Sequence, residues 1–227
     1  MSDFILSNDA LPRVVLYGYF RSSAAFRARI ALNLKGIKPE LRFVHLLKDG
    51  GQQHTAEYKT LNPQELIPAL VHDGHTITQS LAIIEYLNEI VPEPPLLPKD
   101  AFGRARARAL AYAIACDIHP VNNLRIGRFL KREYGKSDED VFAWQRHWIE
   151  VGFDALETML ARDSETGAFC HGDTATIADI CLIPQIANAR RVNLDIARWP
   201  TIARIEAHAL KHPAFDAALP KNQPDAE

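Results

Sequence analysis

The short run Arg21-Ser22-Ser23-Ala24-Ala25-Phe26-Arg27 concentrates hydroxyls and cations where a strand hands over to a helix. The apolar Val14-Val15-Leu16-Tyr17 before it reads as a buried strand. Ile30 to Lys35 after it continues a helix from about Ser23 to Lys35, with Phe26, Ile30 and Leu34 on one face and Gly36 as the stop. A helix N-terminus carries unpaired N–H groups and a partial positive charge, so it holds anions and lowers the pKa of a thiol placed there. The run contains no cysteine. A thiolate handled here must be brought in. Ser22 and Ser23 could equally be simple caps.

Other stretches carry the same kind of double reading. Ile67-Pro68 precedes a short strand. A trans edge proline is the ordinary form, while a cis bond would turn the Ile67 backbone toward an extended ligand. Gln79-Ser80 opens a helix and is either a cap, with Ser80 as the N-cap candidate, or a carboxylate cradle. His119-Pro120-Val121-Asn122-Asn123-Leu124-Arg125 gathers a histidine, amides and an arginine at a helix break. His119 reads as a boundary residue, and Arg125 as either solvated or a bidentate carboxylate partner. Arg190-Arg191 has the same two readings. No metal site is expected: the pairs His72/His75 and His208/His212 have no third ligand nearby in sequence. Trp144 and Trp148 read as a core-packing helix face, and Arg104, Arg106 and Arg108 as a solvated surface.

The first part of the chain reads β-α-β-α-β-β-α. A strand–helix–strand order implies parallel pairing. Asp73-Gly74 between apolar runs signals a hairpin. The proline-rich residues 91–99 form a semi-rigid linker between domain 1–90 and an all-helical domain 100–227. Helices are expected near 100–133, bent at His119-Pro120, and at 138–162, 176–188, 200–211 and 213–218. Thr176 to Asp179 is a capping signature. Residues 1–12 read as a frayed lead-in. A net charge of -2 gives no pull toward nucleic acid or an acidic membrane. No run reaches the ~20 apolar residues of a membrane span, and no basic, apolar leader opens the chain. Cys116, Cys170 and Cys181, odd in number and without a CxxC, read as buried free thiols in a reducing cytoplasm.

Several motifs, in order along nearly the whole chain, resemble the zeta-class glutathione transferases, which include maleylacetoacetate and maleylpyruvate isomerases. They are Tyr19-Phe20-Arg21-Ser22-Ser23 through Arg27, Asp49-Gly50-Gly51-Gln52-Gln53, Leu61-Asn62-Pro63, Ile67-Pro68-Ala69-Leu70, Gln79-Ser80 through Leu87, the Gly172 to Asp179 segment and Pro184 to Ala189. The Cys116 to Arg125 run looks more like the bacterial maleylpyruvate type. The resemblance implies a thioredoxin-like α/β N-terminal domain and an all-α C-terminal domain, in a cytoplasmic homodimer serving aromatic amino acid catabolism. It implies a cis Pro68, presenting the Ile67 backbone to the cysteinyl part of glutathione. Gln79 and Ser80 match binders of its γ-glutamyl carboxylate, and Gln53 and Gln64 match positions at or flanking its other end. Ser22, with Ser23, matches the thiolate-stabilising position, and His119, Asn123 and Arg125 match positions near the sulfur and the substrate pocket. Arg21, Arg125 and Arg191 are the candidates for binding an anionic substrate. The chain departs at Ala24, where the family motif usually has cysteine, so dependence on Ser22, Ser23 and the helix start should rise.

The activity implied is glutathione-dependent cis–trans isomerisation of a small maleyl diketo acid. The borrowed thiolate adds to the double bond, Asn123 or arginines take up charge on the conjugated carbonyl, and glutathione leaves unchanged. Within the same fold, the alternative is a transferase conjugating or dehalogenating small electrophilic acids. From another class, the alternative is a non-catalytic glutathione- or ligand-binding protein.

Overall fold

The computed structural model describes residues 13–227, so the expected lead-in at 1–12 lies outside the described residues. The chain divides into two compact units: residues 1–95 together with Pro213–Glu227, and Leu96–His212. The reading of 100–227 as one helical domain therefore needs correcting at its end. The stretch from Pro213 onward packs on the first unit, where Asn33 Nδ2 donates to the Ala214 carbonyl at 2.9 Å.

In the first unit, β1 (Val14–Gly18), α1 (Ser23–Leu34), β2 (Glu40–Phe43), α2 (Ala56–Leu61), β3 (Ala69–His72), β4 (His75–Thr78) and α3 (Ser80–Ile90) follow the expected order. The sheet order is β2-β1-β3-β4. β1 runs parallel to β2, with Leu16 opposite Leu41, and antiparallel to β3, with Leu16 opposite Leu70. A parallel pair needs a crossover, and α1 supplies it. β3 and β4 form the hairpin, whose Asp73 and Gly74 both have positive φ (49° and 76°), as a tight two-residue turn requires. Leu16, Leu70, Phe26, Ile30, Ile83 and Ile84 fill the space between sheet and helices. β2 ends at Phe43; the next N–H, that of Val44, still bonds to the Gly18 carbonyl, and His45 then turns the chain. Its Nδ1 accepts from the backbone N–H groups of Leu47 and Lys48.

The second unit is helical: α4 (Ala101–Tyr112), a wide π turn (Ala113–Ile118), α5 (His119–Val121), α6 (Leu124–Tyr134), α7 (Asp138–Arg162), α8 (Ile177–Arg191) and α9 (Pro200–Ala209). A short α10 (Pro213–Asp216) belongs to the first unit. Thr176 and Asp179 form the expected capping box at the start of α8. The buried Asp179 carboxylate accepts from Thr176 N–H, Thr176 Oγ1 and Cys170 N–H. Among the described residues no helix is long and apolar enough to cross a membrane, and no cluster of side chains could hold a metal ion.

Three bland expectations change. Trp144 and Trp148 are both 37% exposed, and they meet each other edge to face rather than filling the core. Arg106 is not a solvated surface residue: it donates to Asp163, the Cys170 carbonyl and Thr166. Cys116 is exposed, while Cys170 and Cys181 are buried.

Candidate functional site

In the first unit the candidates cluster around the starts of α1 and α3 and the loop before α2. Ser22 is the N-cap of α1 in an extended conformation, and its Oγ accepts from the Ala25 N–H at 3.2 Å. Its own N–H closes a turn onto the Tyr19 carbonyl at 3.0 Å. A serine hydroxyl has one proton and two lone pairs, so accepting as a cap leaves its O–H available to donate. Capping and binding an incoming anion are thus compatible roles. Ser23 is buried as the first residue of the helix. Arg21 is exposed, with its guanidinium over the Phe20 ring at 4.9 Å.

The Ile67-Pro68 bond is cis, as the resemblance implied and against the ordinary trans reading. The loop leading to it is pinned. Asn62 Nδ2 and the Tyr58 hydroxyl both donate to the Leu66 carbonyl at 2.7 Å, and Gln64 N–H bonds to Asn62 Oδ1. This gives Leu61-Asn62-Pro63 a physical role: the Asn62 amide satisfies both ends of a loop that makes no ladder.

At α3 one detail differs from expectation. Gln79, not Ser80, is the N-cap; it has φ 68° and makes no side-chain cap. Ser80 lies just inside the helix and is buried, with its Oγ accepting from Arg27 Nη1 at 3.3 Å. The Gln79 amide donates to Gln64 Oε1 at 2.8 Å, so two of the expected binders face each other. The N–H groups at the start of α3 could hold a carboxylate, as helix N-termini do.

Gln53 is buried in the single helical turn Gln52–His54. Its Nε2 lies 2.9 Å from His54 Nε2, and its Oε1 has no hydrogen-bond partner. A buried amide oxygen without a donor is costly unless a ligand N–H completes it. Gly51 permits the arrangement: with φ 112°, a Cβ there would fall 2.6 Å from the Gln53 amide. These residues fit a peptide-like ligand.

In the second unit His119 opens α5 directly after the π turn, and wide turns of this kind often mark functional sites. Pro120 interrupts regular helix, as expected, and the break falls at Asn122-Asn123. Asn123 is the N-cap of α6, with its Oδ1 accepting from Arg125 N–H at 3.1 Å. Arg125 is exposed in the first turn of α6, and Arg191 is exposed as the last residue of α8. The carbonyls left open at the break are taken by α7. Trp144 Nε1 donates to Val121 at 2.8 Å and Gln145 Nε2 to Asn122 at 3.0 Å.

Arg27 stands in the opening run as a cation, but its buried bond to Ser80, like the parts played by Gly51 and Trp144, is not assigned by the sequence. The available signal for Arg27 is its place, with Arg29, as one of two cations in a helix of otherwise uncharged residues. For Gly51 it is a second consecutive glycine beside paired glutamines.

A thioredoxin-like sheet with a cis-proline loop, followed by an all-helical unit, defines a class. The family description "Glutathione S-transferase, N-terminal domain" matches residues 21–90, and "Glutathione S-transferase, C-terminal domain" matches residues 149–217. The chain belongs to the glutathione S-transferase family. It is 50% identical to a probable maleylacetoacetate isomerase of Vibrio cholerae, over 94% of this chain and 98% of that one. A holo structure of maleyl pyruvate isomerase, described as a bacterial zeta-class enzyme, superposes with TM-score 0.91 at 45% identity, covering 94% of this chain and all (100%) of that one. The maleylacetoacetate isomerase of Methylobacterium extorquens AM1, solved with malonate and GSH bound, gives TM-score 0.90 at 43% identity, covering 94% and 99%.

Proposed function

We propose that this chain is a glutathione-dependent cis–trans isomerase that converts a small maleyl diketo acid, maleylpyruvate or maleylacetoacetate, to its fumaryl isomer. The observation that carries the reading is Ser22, which caps α1 through a lone pair and keeps its O–H to donate at the helix start. Relatives with these activities match it over nearly their full length.

Bound glutathione supplies the thiolate that adds reversibly to the activated double bond and leaves after rotation about it. The Ser22 hydroxyl and the first N–H groups of α1, beginning with Ser23, lower the pKa of that thiol. The Ile67 backbone pairs with the tripeptide, the start of α3 with Gln79 and Ser80 takes its γ-glutamyl carboxylate, and Gln53 and Gln64 hold its other end or flank it. His119 and Asn123 serve the sulfur and the substrate carbonyl, with an amide N–H of Asn123 as a donor to developing negative charge. Arg21, Arg125 and Arg191 hold the substrate carboxylates. The resemblance also supports a homodimer working in the cytoplasm.

The test is to incubate purified protein with each diketo acid, with and without glutathione. Trans product is expected only with glutathione, whose concentration stays constant. No trans product from either acid overturns the reading.

A further inference from the structure

The turn that carries Ser22 is gripped by two charged residues that have no role in the scheme above. Arg29, in the second turn of α1, is 7% exposed. Its Nη2 donates to the Phe20 carbonyl at 3.1 Å, its Nη1 reaches the Tyr19 carbonyl at 3.4 Å, and its Nε donates to the Ala218 carbonyl at 3.1 Å. The Tyr19 carbonyl is the one that Ser22 N–H uses to close the turn. The Phe20 N–H donates to Asp225 Oδ2 at 3.0 Å. Both backbone polar groups of Phe20 are therefore held by charged side chains. Hydrogen bonds of this kind are stronger than neutral ones.

Ala218 and Asp225 come from the far end of the chain. That segment is fastened again beside the glutamine loop, where Glu227 pairs with Lys48 and lies 3.4 Å from His45 Nε2. His45 in turn packs edge to face on Tyr19. Burial holds Arg29 down to about 10, and the negative charge of Asp225 opposes that shift. The arginine and the aspartate thus compensate each other around one peptide.

We propose that Arg29 and Asp225 are positioning residues for thiol activation: they fix the Tyr19–Ser22 turn so that the Ser22 hydroxyl and the first N–H groups of α1 meet the glutathione sulfur. The inference rests on Ser22 as the thiolate partner. It makes the returning C-terminal segment part of the catalytic apparatus, although it touches no reactant.

The sign of one measurement separates positioning from a field effect. The charged groups around the turn are Arg21, Arg29, Lys48, Asp225 and Glu227, with His45 beside Tyr19. Removing the negative charge of Asp225 would, through space alone, stabilise a nearby thiolate and lower its pKa. Loosening the turn does the opposite.

The experiment titrates the thiolate absorbance of bound glutathione in the full-length protein and in Asp225→Ala, Asp225→Asn and Arg29→Lys, alongside kcat and KM. Asp225→Ala should raise the thiol pKa, leaving about threefold less thiolate at neutral pH. It should lower kcat with little change in KM for the diketo acid. Asp225→Asn keeps an acceptor for Phe20 N–H and should recover most of the loss. Arg29→Lys, unable to span three carbonyls, should shift the pKa in the same direction as Asp225→Ala. An unchanged or lowered pKa in Asp225→Ala overturns the proposal, whatever happens to its melting temperature. Wild-type protein that ionises glutathione but isomerises neither acid would sink the substrate assignment and leave the positioning role standing. Wild-type protein that does not ionise glutathione overturns both.

Discussion

Arg27 Nη1 donates to Ser80 Oγ across 3.3 Å, joining the middle of α1 to the first turn of α3. Both side chains are buried, the arginine to 2% exposure. The two helix starts that would hold the opposite functional groups of glutathione are therefore coupled by a hydrogen bond from a buried cation.

Ser80→Ala removes the acceptor and should destabilise the protein by about 2 kcal/mol, the range for a lost hydrogen bond to a charged group. KM for glutathione should rise more than kcat falls. Urea unfolding and steady-state kinetics check both, and an unchanged glutathione KM would contradict the carboxylate role.

Ser22→Ala should cost about 1 kcal/mol as a lost helix cap. Its effect on kcat/KM should be far larger, roughly 10²-fold or more, as for loss of a donor to developing charge. Ser22→Thr keeps cap and hydroxyl and should preserve most activity. Equal loss in both variants would mean that the hydroxyl proton has no part in the chemistry.

Gly51→Ala places a methyl 2.6 Å from the Gln53 amide at a φ of 112°. The residue must shift or the loop must open, at a cost above about 1 kcal/mol. Weaker glutathione binding by calorimetry is expected, with the pKa of bound thiol unaltered because the α1 cap is untouched.

Lys35 gives a pH signature. Its Nζ donates to Asn88 Oδ1 and to the carbonyls of Pro92 and Pro94, tying down the start of the proline-rich stretch. Burial lowers its pKa to about 8, against the opposing charge of Glu93. The native state then releases this proton more readily than the unfolded chain, whose lysines titrate near ~10.4. Between those values the unfolded state binds more protons, so Lys35 makes unfolding free energy rise with pH. Lys35→Met should remove that rise. A wild-type and variant difference in urea midpoint that is flat from neutral to about pH 10 would refute it.

How far the sequence carries can be seen residue by residue. Strand runs, the Asp73-Gly74 turn and the Thr176 capping signature are local patterns, and each appears where local chemistry puts it. The cis bond at Pro68 is legible only through resemblance, because an X–Pro bond is ordinarily trans and nothing local marks this one as an exception. Arg106 reads as a surface residue in the sequence because its partners Asp163, Thr166 and Cys170 are more than fifty residues away. Ser80 reads as the cap but is the first helical residue, since a hydroxyl at a helix start signals a cap without saying which residue turns the corner. The Trp144 indole, four residues from Trp148, looked like a core repeat, whereas its N–H serves a carbonyl at the Asn122 break.

The first unit is not contiguous along the chain: its last pieces, among them Ala218 and Asp225, follow the whole helical unit in sequence. During synthesis the sheet and α1 emerge before the helical unit, and the groups that complete the Phe20 peptide emerge after it. A fragment ending at Pro95 would lack both, so the turn that carries Ser22 can finish folding only after the helical unit has been made.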